Sequence, residues 1–370
     1  MHLGMICLEV YVDLVISIGY KEKHKDKYMD LNRMAVIVLA AGKGTRMKSQ
    51  YPKVLHKIAG KPILAHVLDM LKETGFSKTC LVLGNDYEDF LPLCEQYQPI
   101  NIAVQKKQNG TGDAVASAAL SFVDIDPPSY VTCDLVKGRP FDASHVLICY
   151  GDVPAITADL MHGFIQSYID SAADLSVLGM DVPNPVGYGR LLIGSQQQVK
   201  AIIEDKDATP EQKKITVCNS GIVLAKTKTL FDLLKLLTTD NAQKEYYLTD
   251  CFSLASKKGL KVTTFITKDW LSFSGINDRV QLADVEKMMI TRMMTGFMRH
   301  GVTFHLPETI YIESEIVIGA DTVIEPHVVL KGKTNIGTNV YIGAHAVIEN
   351  VVVRNDARIE AGSVLKNCKI

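Results

Sequence analysis

A chain of 370 residues has room for two domains with full cores, and 47% hydrophobic and 22% charged residues are ordinary for a globular protein. A net charge of −1 leaves no electrostatic footprint for a nucleic-acid partner. Eight cysteines without a C-x-x-C pair, several inside apolar runs, argue against a disulfide or metal framework and for reduced thiols in the cytoplasm.

Residues 5–19 are apolar, but Glu9 and Asp13 interrupt them and no basic stretch precedes them. They read neither as a secretion signal nor as a membrane span. With the charged stretch at 21–28, residues 1–33 are an N-terminal extension of no assigned role, and the compact domain is expected to begin near Met34.

From 34 to about 265, β-rich runs alternate with helical segments, the pattern of an α/β sheet. The expected strands are Ala35–Ala40, Thr79–Leu83, Ile102–Val104, His145–Tyr150, Asp174–Gly179, Val217–Leu224 and Leu260–Phe265. Ile63–Thr74 and Gly112–Phe122 read as helices, and residues 123–144 as a long surface loop.

The first strand runs into Leu39-Ala-Ala-Gly-Lys-Gly-Thr-Arg-Met47. Its glycines permit a sharp turn that aims backbone N–H groups at an anion, and a strand, a Gly-rich basic loop and a following helix make a place for phosphates. The loop is not a P-loop, and it lacks the third glycine of the dinucleotide fingerprint. Arg46 and Lys53 supply cations beside it. Asp152 follows the His145–Tyr150 strand, so its carboxylate is expected at the carboxyl edge of the sheet, where open α/β folds bind ligands. Asp152 with one amide oxygen would suffice for Mg²⁺, which takes few protein oxygens.

Asp278 to about His300 reads as a connecting helix whose methionines, Met288, Met289, Met293, Met294 and Met298, form a packing surface. Beyond it apolar residues recur every six positions: Ile312, Ile318, Ile324, Leu330, Ile336, Ile342 and Ile348, then, one residue short, Val353, Ile359 and Leu365. This is a hexapeptide repeat, whose inward aliphatics stack coil on coil in a parallel β-helix. The domains are therefore read as 34–277, a connecting helix over 278–301, and a short β-helix over 302–370.

Residues 34–370 resemble the bacterial N-acetylglucosamine-1-phosphate uridylyltransferases, in which a β-helix acetyltransferase follows the nucleotidyl-transferring domain. The resemblance rests on motifs in the family's order: Leu39–Met47 with Lys53-Val-Leu-His; Gln105 with Gly110-Thr-Gly; Tyr150-Gly-Asp152; Gly187-Tyr-Gly-Arg190; Glu204; Asn219-Ser-Gly; Glu245-Tyr-Tyr-Leu-Thr-Asp250; and Gly275-Ile-Asn277-Asp-Arg279. It implies a Rossmann-like nucleotidylyltransferase domain followed by a left-handed β-helix. It also implies Mg²⁺-dependent transfer of UMP from UTP to N-acetylglucosamine-1-phosphate, giving UDP-N-acetylglucosamine and pyrophosphate.

On that resemblance Leu39, Ala40, Ala41, Gly42 and Lys53 would hold the nucleotide, and Gln105, Gly110 and Thr111 would read uracil, whose two carbonyls and one N–H suit an amide and backbone groups. Tyr150, Gly151, Gly189, Glu204, Asn219 and Thr249 would surround the amino sugar. Asp152 and Asn277 would hold Mg²⁺, and Arg46 would stabilise the triphosphate charge as pyrophosphate leaves. Two departures are expected to matter. The 123–144 loop is longer than in the family, and the β-helix stops after about three coils, leaving the acetyl-transfer residues without counterparts. The expectation is no acetyltransferase activity, with His327 and His345 stacked for structure and the β-helix serving as a stalk for a homotrimer. No membrane contact is expected. The alternatives are a nucleotidylyltransferase for another sugar or base, such as glucose-1-phosphate, and a catalytically silent sugar-nucleotide-binding protein; the presence of Arg46, Lys53, Asp152 and Asn277 weighs against the second.

Overall fold

Met34–Leu39 (β1) is a run of apolar side chains with no polar alternation, and in the computed structural model every residue of it is buried. The structure describes residues 31–42 and 44–370, apart from the side chain of Gln196, so the extension up to residue 30 and Lys43 lie outside the described residues. Leu31 packs on the core and the Arg33 carbonyl accepts from Ser144 N–H at 2.9 Å, so packing includes described residues before Met34.

The remaining strands of the main sheet are Thr79–Leu83 (β2), Ile100–Gln105 (β3), Cys133–Lys137 (β4), His145–Tyr150 (β5), Leu175–Asp181 (β6), Arg190–Ile193 (β7), Val199–Ile203 (β8), Val217–Lys226 (β9) and Val262–Thr267 (β10). They form a ten-stranded sheet in the order β8-β7-β9-β5-β1-β2-β3-β4, with β6 pairing β9 and β10 pairing β6. Strands β5, β1, β2 and β3 are parallel. The helices beside them are Ile63–Thr74 (α1), Thr111–Ser117 (α2), Ala158–Ser171 (α3), Thr227–Leu234 (α4) and Asp250–Lys257 (α5). Because side chains alternate along a strand, Met34, Val36 and Val38 pack with α1 and α3, and Ala35, Ile37 and Leu39 with α2, α4 and α5. This is the α/β sandwich of a Rossmann-like domain.

Residues 123–144 are not simply a surface loop. Within them β4 pairs antiparallel with β3 at the sheet edge, its exposure alternating along the strand. Five residues with two charges, bracketed by Asp126-Pro-Pro and Gly138-Arg-Pro, carry too weak a period to announce a strand, and only the neighbouring β3 edge stabilises it. The segment is also tied inward, because Tyr130 stacks on Tyr246 at 3.8 Å between ring centroids and donates to the Leu234 carbonyl. The antiparallel pair β7 and β8 is a further addition to the expected strands.

Helix α6, Arg279–Arg299, starts on Asp278, whose carboxylate accepts from the Val280 and Gln281 N–H groups. Met294 is buried, Met288, Met289 and Met293 pack partly buried against the same core, and Met298 is exposed. The hexads then wind as three parallel sheets, in register Ile324 to Ile342 to Ile359, Leu330 to Ile348 to Leu365, and Ile318 to Ile336 to Val353. This is the short left-handed β-helix. His327 and His345 stack outside it at 4.8 Å and 10°. Ile58, Ala59, Ala155 and Ile276 share one core with α6 and the coils, and Ser314 N–H donates to the Ala59 carbonyl at 2.9 Å. Ile342 is fully buried between Ile324 and Ile359, so Ile342→Ala is expected to cost about 2–5 kcal/mol in the β-helix transition of a urea titration. A loss below about 1 kcal/mol would show that the coils do not depend on this stack.

Candidate active site

The parallel strands diverge from β1: β2 and β3 lie on one side and β5 on the other, which opens a crevice at the carboxyl ends of β1 and β5. Leu39 and Tyr150 are register partners there, and Gly151 N–H donates to the Leu39 carbonyl at 2.9 Å. Two cavities meet at this edge. The smaller, about 390 Å³, is lined by Leu39, Ala40, Ala41, Gly42, Lys53, Gln105, Gly110 and Asp152. The larger, about 620 Å³, is lined by Arg46, Gly189, Glu204, Asn219, Thr249 and Asn277. Thr111, Tyr150 and Glu245 face both. Of the residues singled out in the sequence only Gly151 lines neither, and it contributes its backbone.

No α-helix starts directly at the glycine loop; the expected helix, Ile63–Thr74, follows it as α1. Thr45–Met47 and Lys53–Leu55 are single 3₁₀ turns, and Gly44 (φ 58°) and Lys48 (φ 48°) flank the first in the left-handed region, which stops it from propagating. An anion at this loop therefore meets no α-helix N-terminus in the described residues. Side chains supply the charge instead. Arg46 is exposed on the wall of the larger cavity.

Lys53 lies between the carboxylate and the amide that were expected to hold a metal. Its ammonium is 2.5 Å from Asp152 Oδ2 and 3.2 Å from Asn277 Oδ1. The two oxygens come together because Ile276 N–H donates to the Asp152 carbonyl at 3.0 Å, and Asn277 N–H is held by Gln281 Oε1 at 2.7 Å. One carboxylate and one amide oxygen already gathered around a cation fit Mg²⁺, a hard ion that completes its shell from phosphates and water.

On the side of the smaller cavity, Gln105 Nε2 donates to Asp113 Oδ2 at 2.6 Å. Gly110 (φ 107°) lets the loop press against residues 245 and 246; a Cβ there would lie 2.6 Å from the Tyr246 carbonyl oxygen. On the other side, Glu204 accepts from the Thr249 hydroxyl at 2.9 Å. Burial raises the Glu204 carboxyl above its ordinary range; the Thr249 bond opposes this, and Asp207, Asp250 and Asp205 add to it. Asn219 Oδ1 accepts from Gly221 N–H at 2.8 Å, which leaves its Nδ2 as the donor for a ligand.

Residues 36–212 match the MobA-like NTP transferase domain family, and residues 315–350 match the bacterial transferase hexapeptide family. The bifunctional protein GlmU of Lactobacillus johnsonii is 39% identical over 329 residues, covering 89% of this chain and 67% of that protein. Its counterpart in Carboxydothermus hydrogenoformans is 38% identical over 333 residues, covering 90% of this chain and 70% of its own. The chain belongs to the GlmU family. It spans about two thirds of the length of these GlmU proteins. A solved structure named for glucose-1-phosphate thymidylyltransferase, from Bacillus anthracis, has a TM-score of 0.51 at 18% identity, covers 69% of this chain and 94% of its own, and shares the fold.

As a GlmU family member with an NTP transferase domain, the protein is a nucleotidyltransferase with a hexapeptide-repeat β-helix. Among the described residues, no helix is long and apolar enough to cross a membrane. The GlmU motifs marked most of the cavity walls, but two supporting residues, Gln108 and Asp113, lie outside them, and a third, Arg190, stood in its motif without a role. Gln108 Nε2 donates to the Ala41 carbonyl and holds the glycine loop against the segment carrying Gln105. Asp113 orients Gln105. Arg190, buried behind Gly189, donates to the Tyr188 carbonyl and pairs with Asp205 at 3.0 Å. Gln108 and Asp113 sit three and eight residues beyond Gln105, and an amide or carboxylate so close in the loop was the available signal. Seven described cysteines are free thiols, and Cys7 lies outside the described residues.

Proposed function

We propose that the protein transfers UMP from UTP to N-acetylglucosamine-1-phosphate with Mg²⁺, giving UDP-N-acetylglucosamine and pyrophosphate. The observation that carries this reading is the junction of the two cavities, where Asp152, Asn277 and Lys53 stand between a compartment walled by the glycine loop and Gln105 and one walled by Glu204, Asn219 and Thr249. Such a layout suits a nucleotide on one side, a sugar phosphate on the other and charge neutralisation between them.

In this reading Asp152 and Asn277 would hold Mg²⁺, which when bound draws charge from the phosphates of both substrates. The chain's own part is positioning and electrostatics. Leu39 to Gly42 line the floor for the nucleoside, and Gln105, Gly110 and Thr111 meet the base. Glu204 and Thr249 accept and donate to sugar hydroxyls, and Asn219 Nδ2 reaches toward the N-acetyl carbonyl. Lys53 neutralises the phosphate that is attacked. Arg46, exposed on the wall of the larger cavity, stabilises the leaving pyrophosphate. The sugar-phosphate oxygen attacks the α-phosphorus of UTP, the bond to the bridging oxygen breaks, and pyrophosphate leaves with that electron pair.

The test is pyrophosphate release from UTP and N-acetylglucosamine-1-phosphate with Mg²⁺, run beside glucose-1-phosphate and dTTP. Turnover at least about tenfold better with the proposed pair is the expected result. Preference for another pair would keep the chemistry and overturn the substrates, and tight nucleotide binding without turnover would favour the silent binding protein. We further propose that the stalk assembles three copies and that the described coils transfer no acetyl group. A monomeric mass in solution would refute the first, and acetylation of glucosamine-1-phosphate from acetyl-CoA by the pure chain the second.

A further inference from the structure

Gln105 closes the smaller cavity at the end of β3 and is 3% exposed; Asp113, in the first turn of α2, is 1% exposed. An amide side chain by itself is indifferent to the ligand, because turning it over exchanges a carbonyl acceptor for an N–H₂ donor. Here it is not free to turn. Asp113 Oδ2 receives Gln105 Nε2 at 2.6 Å and the Asn109 backbone N–H at 3.3 Å. A backbone N–H donates and nothing else, so Oδ2 is an acceptor. Gln105 Nε2 also points at the Gly110 carbonyl, at 3.4 Å. Both amide hydrogens are thereby taken up, and Gln105 Oε1 has no hydrogen-bond partner among the described residues. Turning the amide over would press its oxygen against two acceptors, the buried Asp113 Oδ2 and the partly buried Gly110 carbonyl, at a cost a buried amide does not tolerate.

We infer that Asp113 is a specificity-determining residue: by holding the Gln105 amide it presents a carbonyl oxygen to the base, so the pocket selects a pyrimidine with a ring N–H over one with a bare ring nitrogen. Uracil and thymine carry N3–H, which donates to Gln105 Oε1. Cytosine offers an N3 lone pair, and two acceptors then face each other. Asp113 does not touch the base and acts through Gln105. The inference rests on the proposed placing of the base beside Gln105, and it predicts nothing about UTP against dTTP, since both bases have the same N3–H.

The experiment uses the full chain and compares UTP with CTP in two ways: kcat/KM with N-acetylglucosamine-1-phosphate, and equilibrium binding of each nucleotide by calorimetry. Asp113→Asn and Asp113→Ser each put a group beside Gln105 that can donate as well as accept, so the UTP:CTP preference is expected to fall about tenfold or more in both. Asp113→Glu keeps the acceptor and is expected to retain most of the preference. In a Gln105→Leu background, adding Asp113→Asn is expected to leave the ratio where Gln105→Leu put it. An unchanged ratio in the Asn and Ser variants, with only kcat or thermal stability reduced, would mean that Asp113 merely supports the fold. An equal shift with and without Gln105 would mean that it acts by another route. Wild-type protein that binds UTP selectively but turns over no sugar phosphate would refute the proposed reaction and leave the selectivity inference standing; wild-type protein that binds UTP and CTP alike would refute the inference itself.

Discussion

Asp152→Asn is expected to lower turnover about 10³-fold, the loss typical when a central electrostatic contribution to a transition state is removed. The substitution preserves size and one oxygen, but it takes away the negative charge that Lys53 meets at 2.5 Å and that would hold Mg²⁺. The fold should survive, because the Asp152 backbone carbonyl still accepts from Ile276 N–H and the strand before it is buried on its own account. Two measurements on one preparation separate the possibilities: pyrophosphate release, and Mn²⁺ binding followed by paramagnetic resonance. Loss of both with an unchanged melting temperature is the expected pattern. Turnover within about tenfold of wild type would remove Asp152 from the reaction.

Arg190→Ala is expected to cost about 3–5 kcal/mol of stability, the range for breaking a buried ion pair by removing one partner. Arg190 is 1% exposed, donates to the Tyr188 carbonyl and pairs with Asp205 at 3.0 Å. Its removal leaves a cavity under β7 and takes the support from Gly189 and Asp205, both on the wall of the larger compartment. Urea unfolding measures the loss directly, and a rise in KM for the sugar phosphate with little change for UTP should accompany it. Asp205 is itself partly exposed, and a stability loss below about 1 kcal/mol would mean that water replaces the pair at almost no cost.

Where sequence and structure part, the causes are physical. The chain does not pass from the glycine loop straight into a helix, because Gly44 and Lys48 in left-handed conformations confine Thr45–Met47 to a single turn and the helix that follows is α1. The 123–144 segment looked like a loop because β4 is short and charged, and its pairing partner β3 lies nearly thirty residues earlier. What the motif Tyr150-Gly-Asp152 could not announce is the packing reason for its glycine: Gly151 lets two strand ends lie close, with Ala40 Cβ and Leu64 Cδ1 each 3.1 Å from where a side chain would begin.

Three features of this protein were determined by the sequence alone: the buried β1 run, the hexad register from Ile312 to Leu365, and the residue types at the carboxyl edge of the sheet. Each is a periodic or local pattern, and burial of apolar surface enforces it whatever lies elsewhere in the chain. The tertiary structure alone decided which polar atoms meet. How Asn277 is brought to Asp152 through the Ile276 N–H, and that Lys53 bridges them, depend on how separate loops are packed by the cores beneath them, and even the short-range turn that Asp113 imposes on the Gln105 amide is visible only in the folded geometry. A directional contact of about 3 Å between residues distant in the chain leaves no period to detect, because its geometry is set by every element that supports it.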